Sequence, residues 1–140
     1  MSTLASLRIG TLEITAALAA VALVAGRPRL RADAELGRLG PVRIFVAIDE
    51  RGGHRTYDGL APFEIGRDKD AGLALADAEV SRRHARFELR DGIVFIRDLE
   101  SRNGTFLNGR RITEPIELRV GDEIDVGTTR LRVEDLRPWT

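Results

Sequence analysis

The sequence predicts an all-β domain, a sandwich or a barrel, preceded by one apolar helix near the N-terminus. From about residue 40 onward, short runs alternate apolar and polar residues with a period of two, which places one side of each run on a core and the other in water. Glycine-containing turn pairs separate these runs, and helical periodicity is absent from this region. Since the chain has 140 residues, it can hold one domain and a short appendage.

Composition limits the classes of protein to consider. Apolar residues make up 43% of the chain and charged residues 31%, a balance typical of globular proteins. The formal net charge is zero, so no overall field attracts nucleic acid or an anionic membrane, and any recognition of anions must be local. Cysteine is absent, which excludes disulfides, thiolate nucleophiles and cysteine metal sites and agrees with a reducing cytosol.

The N-terminal stretch from 9 to 26 is apolar and rich in alanine, so it is predicted to form a helix. Its 18 residues lie near the lower limit for a membrane span, which takes about 17 to 25 residues. Three arginines follow it directly: Arg27, Arg29 and Arg31. In a membrane they would keep the following domain in the cytoplasm, at the inner face of the plasma membrane. Two alternatives remain open: a helix that packs on protein, and a cleaved signal peptide with the pattern Ala20-Val21-Ala22.

The composition changes near residue 40, where we place the domain boundary. Residues 1–40 comprise the apolar helix and an Arg-rich connector, residues 41–136 the β domain, and residues 137–140 a tail. Six alternating runs are predicted strands: 43–48, 62–66, 84–90, 93–98, 123–127 and 129–134. Between them, Asn108-Gly109 is predicted to form a two-residue type I′ hairpin turn, because this turn needs positive φ at both positions.

Three loop segments carry most of the functional signal. They are Gly66-Arg67 at the end of a strand, the SRRH sequence of 81–84, and the SRNGTFLNG sequence of 101–109. In this order and spacing they resemble the forkhead-associated (FHA) family, whose β-sandwich domains carry a Gly-Arg pair, a Ser-x-x-His motif and an Asn-Gly-Thr motif.

The resemblance covers Val42 to about Leu136 and implies an FHA-type β-sandwich of about eleven strands. In that fold the segment 79–87 enters the fifth strand. The segment 98–109 joins the sixth and seventh strands and then turns into the eighth. The alternating runs identified from the residues themselves agree with these strands.

The same loops suit a phosphorylated side chain. A phosphate near pH 7 carries almost two negative charges and three strong acceptor oxygens, so it needs charged donors in fixed positions. Arg67 can offer a forked set of N–H groups, Ser81 a hydroxyl and Arg82 a second charge. The resemblance implies that Arg67 and Ser81 hold the phosphate with the help of Arg82. It also implies that Asn103 hydrogen-bonds the peptide main chain and that Arg102 contacts the phosphopeptide, at a position where the family often has threonine.

Six further residues are expected to shape the site without binding the ligand: Gly66, His84, Gly104, Thr105, Asn108 and Gly109. The glycines are predicted to supply backbone geometry, with Gly66 allowing a tight turn that directs Arg67 into the loop surface. In the family the matching histidine holds the serine loop by hydrogen bonds. Each binding residue also has a structural interpretation: a solvated charge for Arg67, a turn cap for Ser81 and a positive-φ turn residue for Asn103.

The predicted function is that of a phosphothreonine-dependent adaptor that binds proteins phosphorylated by Ser/Thr kinases, either the kinase or its substrates. Glu79 and the segment 68–71 are candidates to contact the peptide beyond the phosphate. The alternative is a phosphate-independent structural or scaffolding component of a membrane or secretion complex, which the complete donor set around Arg67 disfavours.

Other functional classes have little support in the sequence. It contains no Walker loop and no metal-ligand spacing, so no enzyme activity, cofactor or metal site is expected. Four arginines lie close together: Arg82, Arg83, Arg86 and Arg90. Strand alternation is expected to divide them between two faces, and aromatic residues are scarce, so nucleic-acid binding is not expected. The expected location of the β domain is the cytoplasm, with anchoring to the membrane if residues 9–26 span a bilayer.

Overall fold

The computed structural model describes residues 40–139. The predicted helix of 9–26 and most of the connector lie outside the described residues. The strands within the described range are β1 (Val42–Glu50), β2 (Gly53–Ala61), β3 (Phe63–Gly66), β4 (Leu73–Ala74), β5 (Ala85–Arg90), β6 (Ile93–Asp98), β7 (Thr105–Leu107), β8 (Arg110–Arg111), β9 (Ile116–Glu117), β10 (Glu123–Val126) and β11 (Thr129–Pro138). Over this range, no helix has the length and apolar character needed to cross a membrane.

The strands form two sheets. One has six strands in the order β2-β1-β11-β10-β7-β8, and the other has five in the order β4-β3-β5-β6-β9. Strands β3 and β4 pair in parallel, whereas the other neighbours pair antiparallel. This architecture confirms the predicted all-β sandwich of about eleven strands.

Alternate residues of the strands build the core between the sheets. In β1, Ile44, Val46 and Ile48 are fully buried, whereas the residues between them are partly exposed. Phe87 of β5 and Ile96 of β6 are fully buried on the other sheet. Burying such a side chain contributes about 1.5 to 3 kcal/mol, so the period-two pattern of the sequence is what holds the two layers together.

Most predicted strands and turns agree with the structure. The six alternating runs lie in β1, β3, β5, β6, β10 and β11. Asn108 and Gly109 have φ angles of 50° and 83°, as a type I′ turn requires, and they join β7 to β8. The C-terminus differs from the prediction, because β11 continues to Pro138. Arg137 and Pro138 therefore pair with β1 and are not part of a tail.

Strand β2 is not predicted from the sequence. It lies at the edge of the six-stranded sheet and is mostly polar and exposed, so it shows little alternation. Pairing with β1 along its whole length gives it its conformation. Arg55 Nη2 and Tyr57 Oη also donate to the carbonyls of Ala74 and Gly72, at 2.8 and 2.7 Å, which ties this edge to the five-stranded sheet.

Candidate functional site

Three loops meet to form a groove of about 380 Å³. They are the β3–β4 loop (67–72), the β4–β5 loop (75–84) and the β6–β7 loop (99–104). All five residues predicted to bind a phosphopeptide line the groove: Arg67, Ser81, Arg82, Arg102 and Asn103. Ala78, Glu79 and Val80 complete its wall. The fold therefore brings the predicted binding residues together from three separate parts of the chain.

Main-chain hydrogen bonds hold the first two loops side by side. The Arg67 N–H donates to the Ser81 carbonyl at 3.0 Å, and the Asp68 N–H donates to the Arg82 carbonyl at 3.3 Å. Arg67 Nε donates to the Val80 carbonyl at 3.2 Å, which fixes the stem of this side chain beside Ser81. Among residues 40–139 the terminal Nη groups of Arg67 have no hydrogen-bond partner, so they are available as donors for a ligand.

Gly66, the last residue of β3, is needed for close packing and not for a tight turn. Unlike Gly104, whose φ is 84°, Gly66 has a φ outside the left-handed region. A Cβ on Gly66 would lie 1.9 Å from the Arg82 carbonyl oxygen, far inside any contact distance. The missing side chain lets the SRRH backbone cross the end of β3, which corrects the predicted role of Gly66 as a turn residue.

His84 is fully buried and links the second loop to the third. Its Nδ1 lies 3.0 Å from the Ser81 backbone nitrogen, and its Nε2 lies 2.9 Å from the Gly104 carbonyl oxygen. Because the first partner is a donor and the second an acceptor, the ring must be neutral with its proton on Nε2. His84 thus holds Ser81 and Gly104 in a fixed relation. Both of its nitrogens are occupied, which leaves neither for catalysis or for a metal ion.

Asp98 and Ser101 shape the third loop, although sequence reasoning missed both. The Asp98 carboxylate accepts hydrogen bonds from the Ser101 N–H at 3.1 Å, the Ser101 hydroxyl at 2.5 Å and the Thr105 hydroxyl at 2.7 Å. The Ser101 hydroxyl oxygen in turn accepts the Gly104 N–H at 3.0 Å. Burial acts to raise the pKa of Asp98, but these hydrogen bonds outweigh burial and lower the pKa. The Asp-x-x-Ser spacing is the local signal that could have identified this turn.

Ser81 and Asn103 each keep capacity for a ligand. The Ser81 hydroxyl oxygen accepts the Arg102 N–H at 3.0 Å, so within the described residues its own proton is free to be donated. Asn103 Nδ2 donates to the Glu79 carbonyl at 2.8 Å and to the Glu79 carboxylate at 3.0 Å, and its Oδ1 remains as an acceptor. In the Asn103-Gly104 pair the positive φ belongs to Gly104 alone, so the turn interpretation of Asn103 is wrong.

Asp77 anchors the second loop, and sequence reasoning missed it as well. One carboxylate oxygen accepts the Glu79 N–H at 2.9 Å. The other accepts the Thr128 N–H, the Thr128 hydroxyl and the Thr129 hydroxyl, each at 2.8 Å. Burial acts to raise the pKa of Asp77, but these hydrogen bonds outweigh burial and lower the pKa. The loop is thereby tied to the turn between β10 and β11, a long-range role for which a lone aspartate gives no sequence signal.

The groove arginines differ in their charge partners from most other arginines. Nine other arginines form ion pairs with carboxylates. Within the part of the chain that the structure describes, Arg67, Arg82 and Arg102 form none. Among these residues Glu79 is the one carboxylate that lines the groove. The result is a local positive charge in a chain whose net charge is zero.

The remaining predicted support residues lie in two places. Thr105 is buried and donates to Asp98 beside the groove. Asn108 and Gly109 lie in the turn at the other end of β7, where the Asn108 side chain bonds to the β9–β10 turn and to β10. They stabilise the β7–β8 hairpin and do not shape the groove, which corrects their predicted role. Across residues 40–139, no three His, Asp or Glu side chains form a group that could hold a metal ion.

Several known proteins are similar to this chain in sequence. The FHA domain family model matches residues 63–127. The chain is 37% identical over 96 residues to the FHA domain-containing protein FhaB of Mycolicibacterium smegmatis, which covers 69% of this chain and 60% of that protein. It is 41% identical over 95 residues to the glycogen accumulation regulator GarA of Mycobacterium tuberculosis, which covers 66% of this chain and 56% of that protein.

A solved structure from a study of phosphothreonine-dependent FHA domain interactions is also similar. It is 32% identical with a TM-score of 0.60, and the alignment covers 66% of this chain and 96% of that chain. The chain thus spans little more than half the length of the curated relatives but nearly the whole of this solved domain. With the two-sheet fold and the three loop motifs in place, the chain belongs to the forkhead-associated (FHA) domain family.

Proposed function

We propose that this chain is a phosphothreonine-dependent adaptor, which binds proteins phosphorylated on threonine by Ser/Thr kinases. The observation that carries the proposal is the charge of the groove. Arg67, Arg82 and Arg102 meet there beside the Ser81 hydroxyl, and none has an ion pair among residues 40–139. A phosphate group has the charge and the acceptor oxygens to use such donors.

The role of each donor is proposed from its chemistry and from the family resemblance. Arg67 would bind two phosphate oxygens through its Nη groups, Ser81 would donate its hydroxyl proton, and Arg82 would add a second charge. Asn103 Oδ1 would accept a main-chain N–H of the peptide. Arg102 would contact the phosphopeptide from the third loop.

The contacts within the loops provide placed donors for a ligand but no free histidine base. Close packing at Gly66, the His84 bridge and the Asp77 anchor hold the loop backbones that carry the donors, which reduces the conformational entropy lost on binding. His84, the histidine beside the groove, has both nitrogens bonded and cannot serve as a base in this arrangement. We therefore propose no enzymatic step.

Similarity to known proteins supports the ligand class and not a particular partner. The similar FHA domain comes from a study of phosphothreonine-dependent interactions. The proposed partner is accordingly a phosphothreonine-containing kinase or kinase substrate. Because the chain spans only part of FhaB and GarA, their partners are not transferred. We further propose that the β domain, 41–136 and the end of β11, lies in the cytoplasm, with residues 9–26 as its candidate membrane anchor.

Calorimetric titration with the best binder from an oriented phosphothreonine peptide library tests the proposal. Arg67→Ala is expected to abolish measurable binding, because each hydrogen bond to a charged group contributes about 1.5 to 3 kcal/mol and a forked pair is lost. Arg67→Lys should recover only part of the affinity, since lysine keeps the charge but not the fork. Ser81→Ala should lose roughly one such bond.

Arg119→Ala is the matched control. Arg119 is also exposed and without an ion pair among the described residues, but it lies in the β9–β10 loop, so its replacement should leave the affinity unchanged. The unphosphorylated peptide should not bind. Equal affinity for the phosphorylated and plain peptides, or normal binding by a folded Arg67→Ala protein, would refute the proposal. Either result would favour a phosphate-independent structural or scaffolding role.

A further inference from the structure

The outer face of the five-stranded sheet carries more arginine than carboxylate. Four arginines and two glutamates line a shallow depression of about 400 Å³, and we call them the arginine face: Arg83, Arg86, Arg90, Arg97, Glu64 and Glu88. Strand alternation was expected to divide Arg83, Arg86 and Arg90, together with Arg82, between two faces. Arg82 does lie apart, in the groove, but the expectation is wrong for the other three. Arg86 and Arg90 have the same parity on β5 and Arg83 precedes the strand, so all three line one depression.

Each glutamate of the arginine face is shared by two arginines. Glu64 lies 2.6 Å from Arg83 and 3.6 Å from Arg86. The Glu88 carboxylate lies 2.6 Å from Arg90 Nη2 and 3.3 Å from Arg97 Nε. The arginine side chains are 40 to 69% exposed, whereas the two glutamates are only 22% and 13% exposed. The carboxylates therefore lie beneath the guanidinium groups, and the surface that meets solvent is positive.

The six-stranded sheet shows a different balance. There, two neighbouring arginines of β11 meet two carboxylates of β10: Arg130 pairs with Asp125 and Glu123, and Arg132 pairs with Glu123. The arginine face thus has two arginines for each carboxylate, whereas this cluster has one arginine for each carboxylate.

The arginine face also contains an unfavourable pair. Arg86 lies directly opposite Arg97 in the β5–β6 register. Like charges at facing positions of an antiparallel pair destabilise a sheet. Pairing of Arg86 with Glu64, which lies opposite it on β3, and of Arg97 with Glu88 offsets part of this repulsion. A bound anionic surface would offset more of it.

The arginine face adjoins the proposed phosphopeptide groove. Arg83, at one end of the face, directly follows Arg82, which lines the groove. From there the face continues along β5, whose six residues span about 20 Å, and apolar surface from Pro62, Leu89 and Leu99 lies between the charges. The groove and the arginine face therefore meet at neighbouring residues of the chain, which gives a bound peptide a short route from one to the other.

We propose that the arginine face is a second docking surface and that its occupant is an acidic segment of the same phosphorylated partner protein. The proposal rests on the proposed function. A guanidinium group carries five N–H donors, so each arginine keeps unused donors after pairing with a shared carboxylate. Acidic side chains can bind these donors without displacing Glu64 or Glu88. The interleaved glutamates make the face less suited to a uniform polyanion such as nucleic acid or an anionic bilayer.

Titration of the full chain with matched synthetic peptides tests this surface. All contain the same phosphothreonine core, and two kinds add a flexible linker that can span about 20 Å, followed by six glutamates or six glutamines. Separate versions carry the tail before and after the core. With the tail on one side of the core, either before or after it, the glutamate peptide should bind about threefold to tenfold more tightly than the glutamine peptide at low salt. This gain in affinity should shrink as ionic strength rises.

Two double variants separate local docking from overall charge. Arg86→Gln with Arg97→Gln should abolish the gain and leave the affinity for the untailed peptide unchanged. This variant keeps Arg83 with Glu64, keeps a partner for Glu88 and removes the like-charge contact, so its thermal stability should not fall. Arg130→Gln with Arg132→Gln changes the net charge equally on the other sheet and should keep the gain.

Each other outcome overturns the docking surface. The proposal fails if the glutamate tail still strengthens binding to the Arg86 and Arg97 variant, or if both double variants lose this gain equally. It also fails if the wild type binds the untailed peptide but gains nothing from the glutamate tail. Vesicles of anionic lipid or RNA that bind through these arginines, with no effect of the glutamate tail, would assign the face to another ligand. If the untailed phosphopeptide does not bind, the proposed function fails by itself. The face is then tested by backbone-amide NMR shifts of β5 and β6 on addition of free hexaglutamate peptide, where no shift overturns it.

Discussion

Replacing Gly66 with alanine tests how the groove is built. The alanine Cβ would lie 1.9 Å from the Arg82 carbonyl oxygen, so the β4–β5 loop must move by about 1.5 Å to approach van der Waals contact. That movement breaks the bonds from the Arg67 and Asp68 N–H groups to this loop, now 3.0 and 3.3 Å long. Overpacking costs about 1 to 3 kcal/mol and each lost bond about 0.5 to 1.5 kcal/mol, so the free energy of unfolding should fall by roughly 2 to 6 kcal/mol.

Thermal unfolding by circular dichroism and calorimetric phosphopeptide titration measure the two consequences of Gly66→Ala. The Tm should drop by about 10 °C or more. Any variant that stays folded should bind weakly, because Ser81 and Arg82 are displaced relative to Arg67. Gly53→Ala is the control, since Gly53 has an ordinary φ and no atom within 4 Å of its Cβ position. A Gly66→Ala protein with wild-type Tm and affinity would refute the close-packing argument.

Three further predictions concern Asp77, Glu79 and the Asn103-Gly104 pair. Asp77→Asn should lower the free energy of unfolding in urea at neutral pH by about 1 to 3 kcal/mol. The fold lowers the pKa of Asp77, so the stabilisation by its carboxylate is present above the ordinary pKa of about 3.9 and is lost as pH falls through the pKa in the folded protein. The variant should therefore lose less stability than the wild type between about pH 5 and 2, and an equal loss would contradict this. Glu79→Gln keeps an acceptor for Asn103 and removes a negative charge from the groove, so calorimetry should show about two- to fivefold tighter phosphopeptide binding at low salt; unchanged affinity would argue against a phosphate in this groove. Gly104→Val should lower the Tm because φ is 84° there, whereas Asn103→Ala should keep the Tm and weaken peptide binding; the opposite pattern would contradict the loop conformation.

The sandwich could be predicted because most of its longer strands have one side in the core. Alternation in β1, β5, β6, β10 and the first part of β11 is a direct consequence of burial on one side. Strand β2 has little buried surface, so its sequence carries no such period. Strands β4, β8 and β9 have two residues each, too few to show any period, and their conformation is set by pairing with longer neighbours.

The groove residues could be predicted from motif spacing, but the contacts that hold them could not. Nothing in the sequence around Gly66 indicates that the Arg82 carbonyl packs against its Cα. Asp77 depends on hydroxyl and amide donors of Thr128 and Thr129, which become neighbours only when the two sheets close. Asp98 acts over a shorter span of chain, and its local Asp-x-x-Ser pattern was the more accessible signal. The ligand-binding roles themselves stay predictions.

The placement of carboxylates decides what each arginine of this protein can bind. An ion pair in the free protein must be broken or shared before an arginine can hold a phosphate fully, which reduces the net free energy of binding. The groove avoids this, because its loops are held by main-chain bonds and by the neutral His84, while Asp77 and Asp98 accept from amides and hydroxyls and not from arginine. Mutual repulsion among the groove arginines is the cost, and a bound dianion would relieve it. The arginine face is intermediate, since each carboxylate there serves two arginines and leaves donors for weaker, more exposed contacts. The groove is therefore suited to one strongly bound group, and the arginine face to several weak contacts that act only once that group is held.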